Sequence, residues 1–379
     1  MSNIKLLVFP LDLDVTRKFI AHAKAMNITV VGASSEMEAS NSQAIDTFVK
    51  LPYITDDNFE ESFRKTLQDF SITQVYAPHI GVWLHLKNLL KTDPASYQFH
   101  LCQPCPFESD WEEFEPSYQW SDDFIEEKDK TLLPSNNNLV VRPKLSKSYY
   151  AGLHRQFLQT PGQCDESKLA ELAHIARVIP KGDLIEIGAF FGRSAFAIGS
   201  LTQQYGIGSL ICVDPWSQEK EDQGEGADII NTNPDTEKER VTDNISHDFE
   251  EHVFQGFTAT MSLLNNASFI RETSEKAISH YQEAADNRQL HQKELGTIPV
   301  TGNIAMLHID GNHDYSHVVK DISTWEPHVI AGGWILIDDY LWVFGDGPKK
   351  AGDELLATGR FDLSYVAGDT LFLRKALVQ

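Results

Sequence analysis

The chain has 379 residues, enough for two domains with separate cores, and its 41% hydrophobic, 23% charged and 10% aromatic content is that of an ordinary soluble globular protein. Its 32 basic and 55 acidic residues leave a formal charge of −23, which repels nucleic-acid backbones and anionic lipid and makes both poor partners. No apolar run approaches the roughly 20 residues a membrane span needs, and "MSNIKLLVFPLDLD" at the start reads as a first strand, not a signal peptide.

In chain order, the first hundred residues alternate strand and helix patterns. "IKLLVF", "ITVVGAS" and "ITQVYAP" are strand candidates, and "VTRKFIAHAKAM" and "NFEESFRKTLQDF" carry apolar residues at helical spacing. This predicts a small parallel α/β domain over 1–97. Residues 98–164 lose period and fill with Pro, Trp, Tyr and acids, and read as an irregular connector. Acidic residues concentrate at 108–129 and 219–251, as solvated faces or loops. Cys102 and Cys105 form one CxxC with no second pair to complete a zinc site. With Pro104 and Pro106 beside them no helix is expected to open there, so the four cysteines read as reduced thiols of a cytoplasmic protein.

A second α/β pattern covers 165–379. "DESKLAELAHIARVI" places apolar residues at 169, 172, 175, 176 and 179, one helical face. Strand "DLIEIGAF", helix "RSAFAIGSLTQQY" and strand "SLICVDP" follow, then a polar insertion at 217–240. Helices are expected at 242–264 and 274–292 with strand "ASFIRE" between them. "IAMLHID" and "GWILID" have the continuous apolar character of strands covered on both faces. "FDLSYVA" and "TLFLRKA" around Gly368-Asp369 predict a terminal hairpin.

Two constellations carry chemistry. In the first, a strand ends in Glu186-Ile187-Gly188 and Gly192 opens a helix, where glycines let the backbone turn sharply and helix N–H groups face a ligand. The loop is neither GxGxxG nor a Walker loop. Its ExGxxxGxS spacing, which includes Ser194, resembles motif I of class I S-adenosylmethionine-dependent methyltransferases, whose loop holds the methionine portion of the donor. Asp214, at the end of the next strand, suits a ribose diol. By the same resemblance, Thr273 and Ser274 fall where the adenine is contacted.

In the second constellation Asp310 and Asp338 follow buried strands and Asp339 adjoins the latter, so three carboxylates converge into a hard-oxygen site suited to Mg²⁺, Mn²⁺ or Ca²⁺. The alternative is a turn Asp and a capping Asp. His313, three residues past Asp310, reads as a general base among oxygens. His308 reads as a satisfied buried histidine and His317 as solvent-facing.

The segment "LHIDGNHDYSHVVKDISTWEPHVIAGGWILIDDYLW" resembles the macrocin and mycinamicin sugar O-methyltransferases, a metal-dependent class I group. The resemblance implies Asp310, Asp338 and Asp339 as Mg²⁺ ligands and His313 as base. It also implies a Rossmann-like sheet and a small hydroxylated acceptor such as a sugar or another vicinal diol. The polar insertion and "FGDGPKKAGDEL" depart from the family pattern, and both fall where substrate is chosen. Residues 1–97 look like the small α/β domain that precedes ATP-grasp modules, but no such module follows. A metal-dependent hydrolase would leave the glycine loop and Asp214 unexplained. A nucleoside-binding scaffold would leave His313 and the carboxylates unexplained. Self-association into a homo-oligomer is compatible with all three readings.

Overall fold

A computed structural model describes residues 4–36, 45–127, 141–217, 249–341, 343 and 345–377. The chain divides into two compact units, Met1–Pro116 and Ser117–Gln379. Residues 218–240 of the polar insertion lie outside the described residues. Among those described, no helix is long and apolar enough to cross a membrane.

The first unit holds strands β1 (Lys5–Val8), β2 (Thr29–Ser34), β3 (Thr47–Lys50), β4 (Gln74–Tyr76) and β5 (His100–Leu101). They form a sheet in the order β3-β2-β1-β4-β5, with every pairing parallel. Strand alternation fills two cores: Leu7 and Phe9 face one, Leu6 and Val8 the other. Helices α1 (Val15–Ala25), α2 (Phe59–Phe70), α3 (Ile80–Thr92) and α4 (Pro106–Glu112) complete the unit. The sequence reading misses α3. Its buried face is Val82, Leu86 and Leu89, but the exposed Leu84 blurs that stripe.

Residues 98–164 are not irregular where described: besides β5 and α4 they hold α5 (Glu115–Glu126) and α6 (Lys147–Gln159). Helix α5 hides its period because it buries Ser117, Ser121 and Phe124, mostly small polar residues. A helix does open at the CxxC, with Cys105 at the cap and Pro106 in the first turn of α4. Proline suits that position because its missing N–H would have no intrahelical partner anyway. The four cysteines are free thiols.

In the second unit the described elements are α7 (Glu166–Ile175), β6 (Asp183–Ile187), α8 (Arg193–Tyr205), β7 (Leu210–Val213), α9 (Phe249–Met261), β8 (Ala267–Ile270) and α10 (Ser274–Asp286). They continue with β9 (Gln289–Gln292), β10 (Gly296–Pro299), β11 (Ile304–Ile309), α11 (Tyr315–Trp325), β12 (Val329–Ile337), α12 (Gly347–Ala357), β13 (Phe361–Ala367) and β14 (Thr370–Lys375). The helix expected at 274–292 stops at Asp286. Arg288 takes φ 59°, and β9 and β10 then pair as an antiparallel hairpin.

Seven strands run in the order β13-β14-β12-β11-β6-β7-β8. The five from β12 to β8 are mutually parallel, and β14 and β13 close the sheet antiparallel, as the terminal-hairpin pattern predicts. Alternate residues feed two buried layers: Leu184, Leu210 and Met306 face one, Ile185, Ile211 and Leu307 the other. This is a Rossmann-like α/β sheet closed by a terminal antiparallel hairpin. Its carboxyl edge carries Gly188, Asp214, Arg271, Asp310 and Asp338, and in open sheets of this kind ligands lie along that edge.

Candidate active site

Gly188 turns the chain out of β6 with φ +80°. A Cβ there would stand 2.1 Å from the carbonyl oxygen of Asp310, while the Asp310 N–H donates to the Ile187 carbonyl at 2.8 Å. Only glycine permits the ends of β6 and β11 to pass this closely. Gly192 caps α8 with φ +88°, packed against Met261 and Phe257. The loop thus starts and ends on residues whose backbone requires glycine.

Glu186 and Ser194, both assigned to the donor site, bind each other: the buried Ser194 hydroxyl donates to Glu186 Oε1 at 2.5 Å. The same oxygen lies 3.0 Å from His308 Nδ1, because Glu186 and His308 face each other in the β6/β11 register. Asp214 is also turned onto the protein. Its Oδ2 accepts from the Ala189 and Phe190 N–H groups at 2.9 and 3.1 Å, and its Oδ1 from Trp216 at 2.7 Å. Burial pushes its carboxyl up, against the lowering effect of these three donors. The acid expected at a ribose therefore clamps the glycine loop, with roughly one of its four lone-pair sites left over.

Asp310 and Asp338 emerge side by side, the Asp338 N–H donating to the Ile309 carbonyl at 2.9 Å. Asp338 is buried, with Oδ2 on the Lys168 ammonium and Oδ1 accepting from the Thr370 hydroxyl. Burial pushes its carboxyl up, but Lys168 and His308 outweigh burial and hold it well below the usual carboxylate range. For Asp310, burial and then the Asp338 charge push the carboxyl well above that range. Asp339 adopts φ 51°, and its Oδ2 lies 2.9 Å from His313 Nε2. Asp310, His313 and Asp339 each offer a ligand atom, all within 4.8 Å of one another; Glu186, His308 and Asp310 form a second such group.

The histidines separate clearly. His308 is buried as expected, but only half satisfied: Nε2 has no hydrogen-bond partner and lies 3.9 Å from Asp338 Oδ2 and 4.0 Å from Asp310 Oδ2. His317 keeps 55% of its side chain exposed, 4.0 Å from Asp314.

Sequence reasoning missed Lys168 and Thr370. Lys168 had a usable signal: it sits four and seven residues before Leu172 and Ile175, on the buried face of α7. A lysine on an apolar stripe marks a cation with a partner inside. Thr370 opens β14, and no local pattern ties it to Asp338; the pairing of Ile337 with Leu371 places it there.

Thr273 caps α10 without a side-chain cap bond. The Ser274 hydroxyl is turned inward, accepting from Trp325 Nε1 at 2.8 Å and bonded to Asp321. Burial raises the Asp321 carboxyl to about 6, with Ser274 and His317 opposing and Glu275 reinforcing the rise. A carboxyl raised on folding costs nothing below the unfolded pKa of about 3.9, and its penalty grows until pH passes the folded value. Asp321→Asn is therefore expected to match the wild type near pH 4 and to exceed its stability above pH 6 by up to about 3 kcal/mol. Urea denaturation of both proteins from pH 4 to 8 checks this; a difference that does not change with pH would refute it.

Residues 185–340, all within the second unit, match a family model described as a methyltransferase domain. Among solved structures the chain is distantly similar to the O-methyltransferase NovP, at 16% identity and TM-score 0.38 over 69% of this chain and 99% of that one. It is also similar to CalS11, a calicheamicin methyltransferase, at 13% identity and TM-score 0.35 over 72% and 94%. The third is the mycinamycin-pathway methyltransferase MycE, in complex with Mg, SAH and mycinamycin VI, at 15% identity and TM-score 0.35 over 62% and 55%. Comparison with curated proteins gives no match.

Proposed function

We propose that the chain is a metal-dependent O-methyltransferase that moves a methyl group from S-adenosylmethionine to a hydroxyl of a sugar or other vicinal diol. The observation that carries this reading is the meeting of His313 Nε2 with Asp339 Oδ2 at 2.9 Å, beside Asp310, on the carboxyl edge of a methyltransferase sheet. Carboxylates with one imidazole form an oxygen-rich donor set, which fits a hard divalent cation. Asp310 and Asp339 would hold it, with Asp338 as the third carboxylate. A cation so held supplies charge that stabilises a developing alkoxide.

The backbone from Gly188 to Gly192 and the N-terminus of α8 would hold the donor, with Asp214 keeping the loop in shape and Thr273 at the adenine end. Sulfonium chemistry supplies a neutral leaving group, so no acid is required there. The residue that matters at the acceptor is His313. His313 takes the hydroxyl proton at Nδ1, while its Nε2–H, held on Asp339 Oδ2 at 2.9 Å, lets Asp339 orient the ring and stabilise the resulting imidazolium.

Calorimetric titration with S-adenosylmethionine tests the donor, and methylation of candidate diols with and without chelator tests the rest. The expected result is saturable donor binding and turnover lost on chelation. No donor binding would sink the whole reading; chelator-insensitive turnover would sink its metal part.

A further inference from the structure

Lys168 lies in the first turn of α7, where its own N–H donates to the capping Asp165 Oδ1 at 2.9 Å. That bond fixes the backbone from which the side chain runs inward. The side chain is 2% exposed, and its ammonium meets Asp338 Oδ2. The other Asp338 oxygen accepts from Thr370, so both oxygens of a proposed cation ligand are already engaged. An ammonium is not buried without compensating charge, and the charges set against this one are those of Asp310 and Asp338.

A purely structural ion pair would have no reason to face the chemistry. This one does. The oxygen that takes the ammonium is the one 3.9 Å from His308 Nε2, and that nitrogen, wholly buried and without a hydrogen-bond partner, lies 4.0 Å from Asp310 Oδ2. An unpartnered polar atom thus lies within 4.0 Å of an oxygen of each carboxylate, and one of those two oxygens also carries the fixed positive charge.

We propose that Lys168 is the internal counter-cation of the cation site: it neutralises Asp338 in the ion-free protein, and a divalent cation is bound against it. Lys168 therefore sets how tightly the ion is held. This rests on the metal-dependent reading above. Two positive charges a few ångströms apart repel strongly away from bulk water. An ion that draws on Asp338 must in addition take Oδ2 from the ammonium. Removing the charge strengthens ion binding and, at the same time, weakens the ion-free protein by leaving Asp338 uncompensated.

Mn²⁺ binding to the full chain, followed by electron paramagnetic resonance, tests this with Lys168→Gln, Lys168→Met and Lys168→Arg. Both neutral variants are expected to bind Mn²⁺ about tenfold or more tightly than the wild type, and the charge-retaining Arg variant to stay within about threefold. Thermal unfolding supplies a second readout: the Gln variant melts lower than the wild type without Mn²⁺, and the gap narrows at saturation. Unchanged or weaker binding in the neutral variants overturns the role of Lys168, as does equal tightening in Lys168→Arg. Absence of Mn²⁺ binding in every protein would remove the cation site and this role with it. Equal binding in all of them would remove only the role of Lys168.

Discussion

Gly188→Ala is expected to cost the protein about 3–5 kcal/mol, a large part of the 5–15 kcal/mol a domain of this kind has. Two penalties combine. At φ +80° an L-residue pays roughly 1–2 kcal/mol for its conformation. The added Cβ would also stand 2.1 Å from the Asp310 carbonyl oxygen and 2.7 Å from Gly311 Cα. Those neighbours are backbone, held by the Asp310-to-Ile187 hydrogen bond, so the clash can be relieved only by moving β11 away from β6. Gly206→Ala is the control, because Gly206 has φ +57° with nothing within 4 Å of its would-be Cβ, and should cost only about 1 kcal/mol. Chemical denaturation of the two variants checks the difference. If Gly188→Ala cost no more than Gly206→Ala, the close crossing of the two strand ends would be wrong.

The same crossing explains what could be read from the sequence. Parallel strands buried on both faces announce themselves as short apolar runs, and four of the runs here end beside a residue singled out as a candidate for the site: Gly188, Asp214, Asp310 and Asp338. Position on the edge was therefore legible, and so was the closing hairpin. The partner of each side chain was not. Whether Asp214 points at a ligand or back at the Ala189 and Phe190 N–H groups depends on a loop conformation that no local pattern encodes. The Lys168–Asp338 pair joins residues 170 positions apart, and only the packing of α7 against the sheet brings them together. Helices failed to appear in the reading where their buried faces were built from Ser117 and Ser121.

His313→Ala is expected to lower turnover about 10²–10⁴-fold, the usual contribution of a positioned base, with S-adenosylmethionine affinity within about threefold of wild type. The geometry allows a second role, because Asp310, His313 and Asp339 all offer ligand atoms within 4.8 Å. The two roles separate by measurement. A base acts on the acceptor hydroxyl, so its removal lowers kcat and leaves Mn²⁺ affinity nearly intact. A ligand holds the ion, so its removal weakens Mn²⁺ binding in the absence of any acceptor. Asp339→Asn provides the reference: it should lose both cation affinity and turnover, because Asp339 is proposed to serve ion and imidazole together. Combining the two substitutions should lower turnover by much less than the product of the single effects, since Nε2 and Oδ2 at 2.9 Å act as one unit. Loss of Mn²⁺ binding in His313→Ala would make the imidazole a ligand and require another base. Undiminished turnover would take His313 out of the reaction altogether.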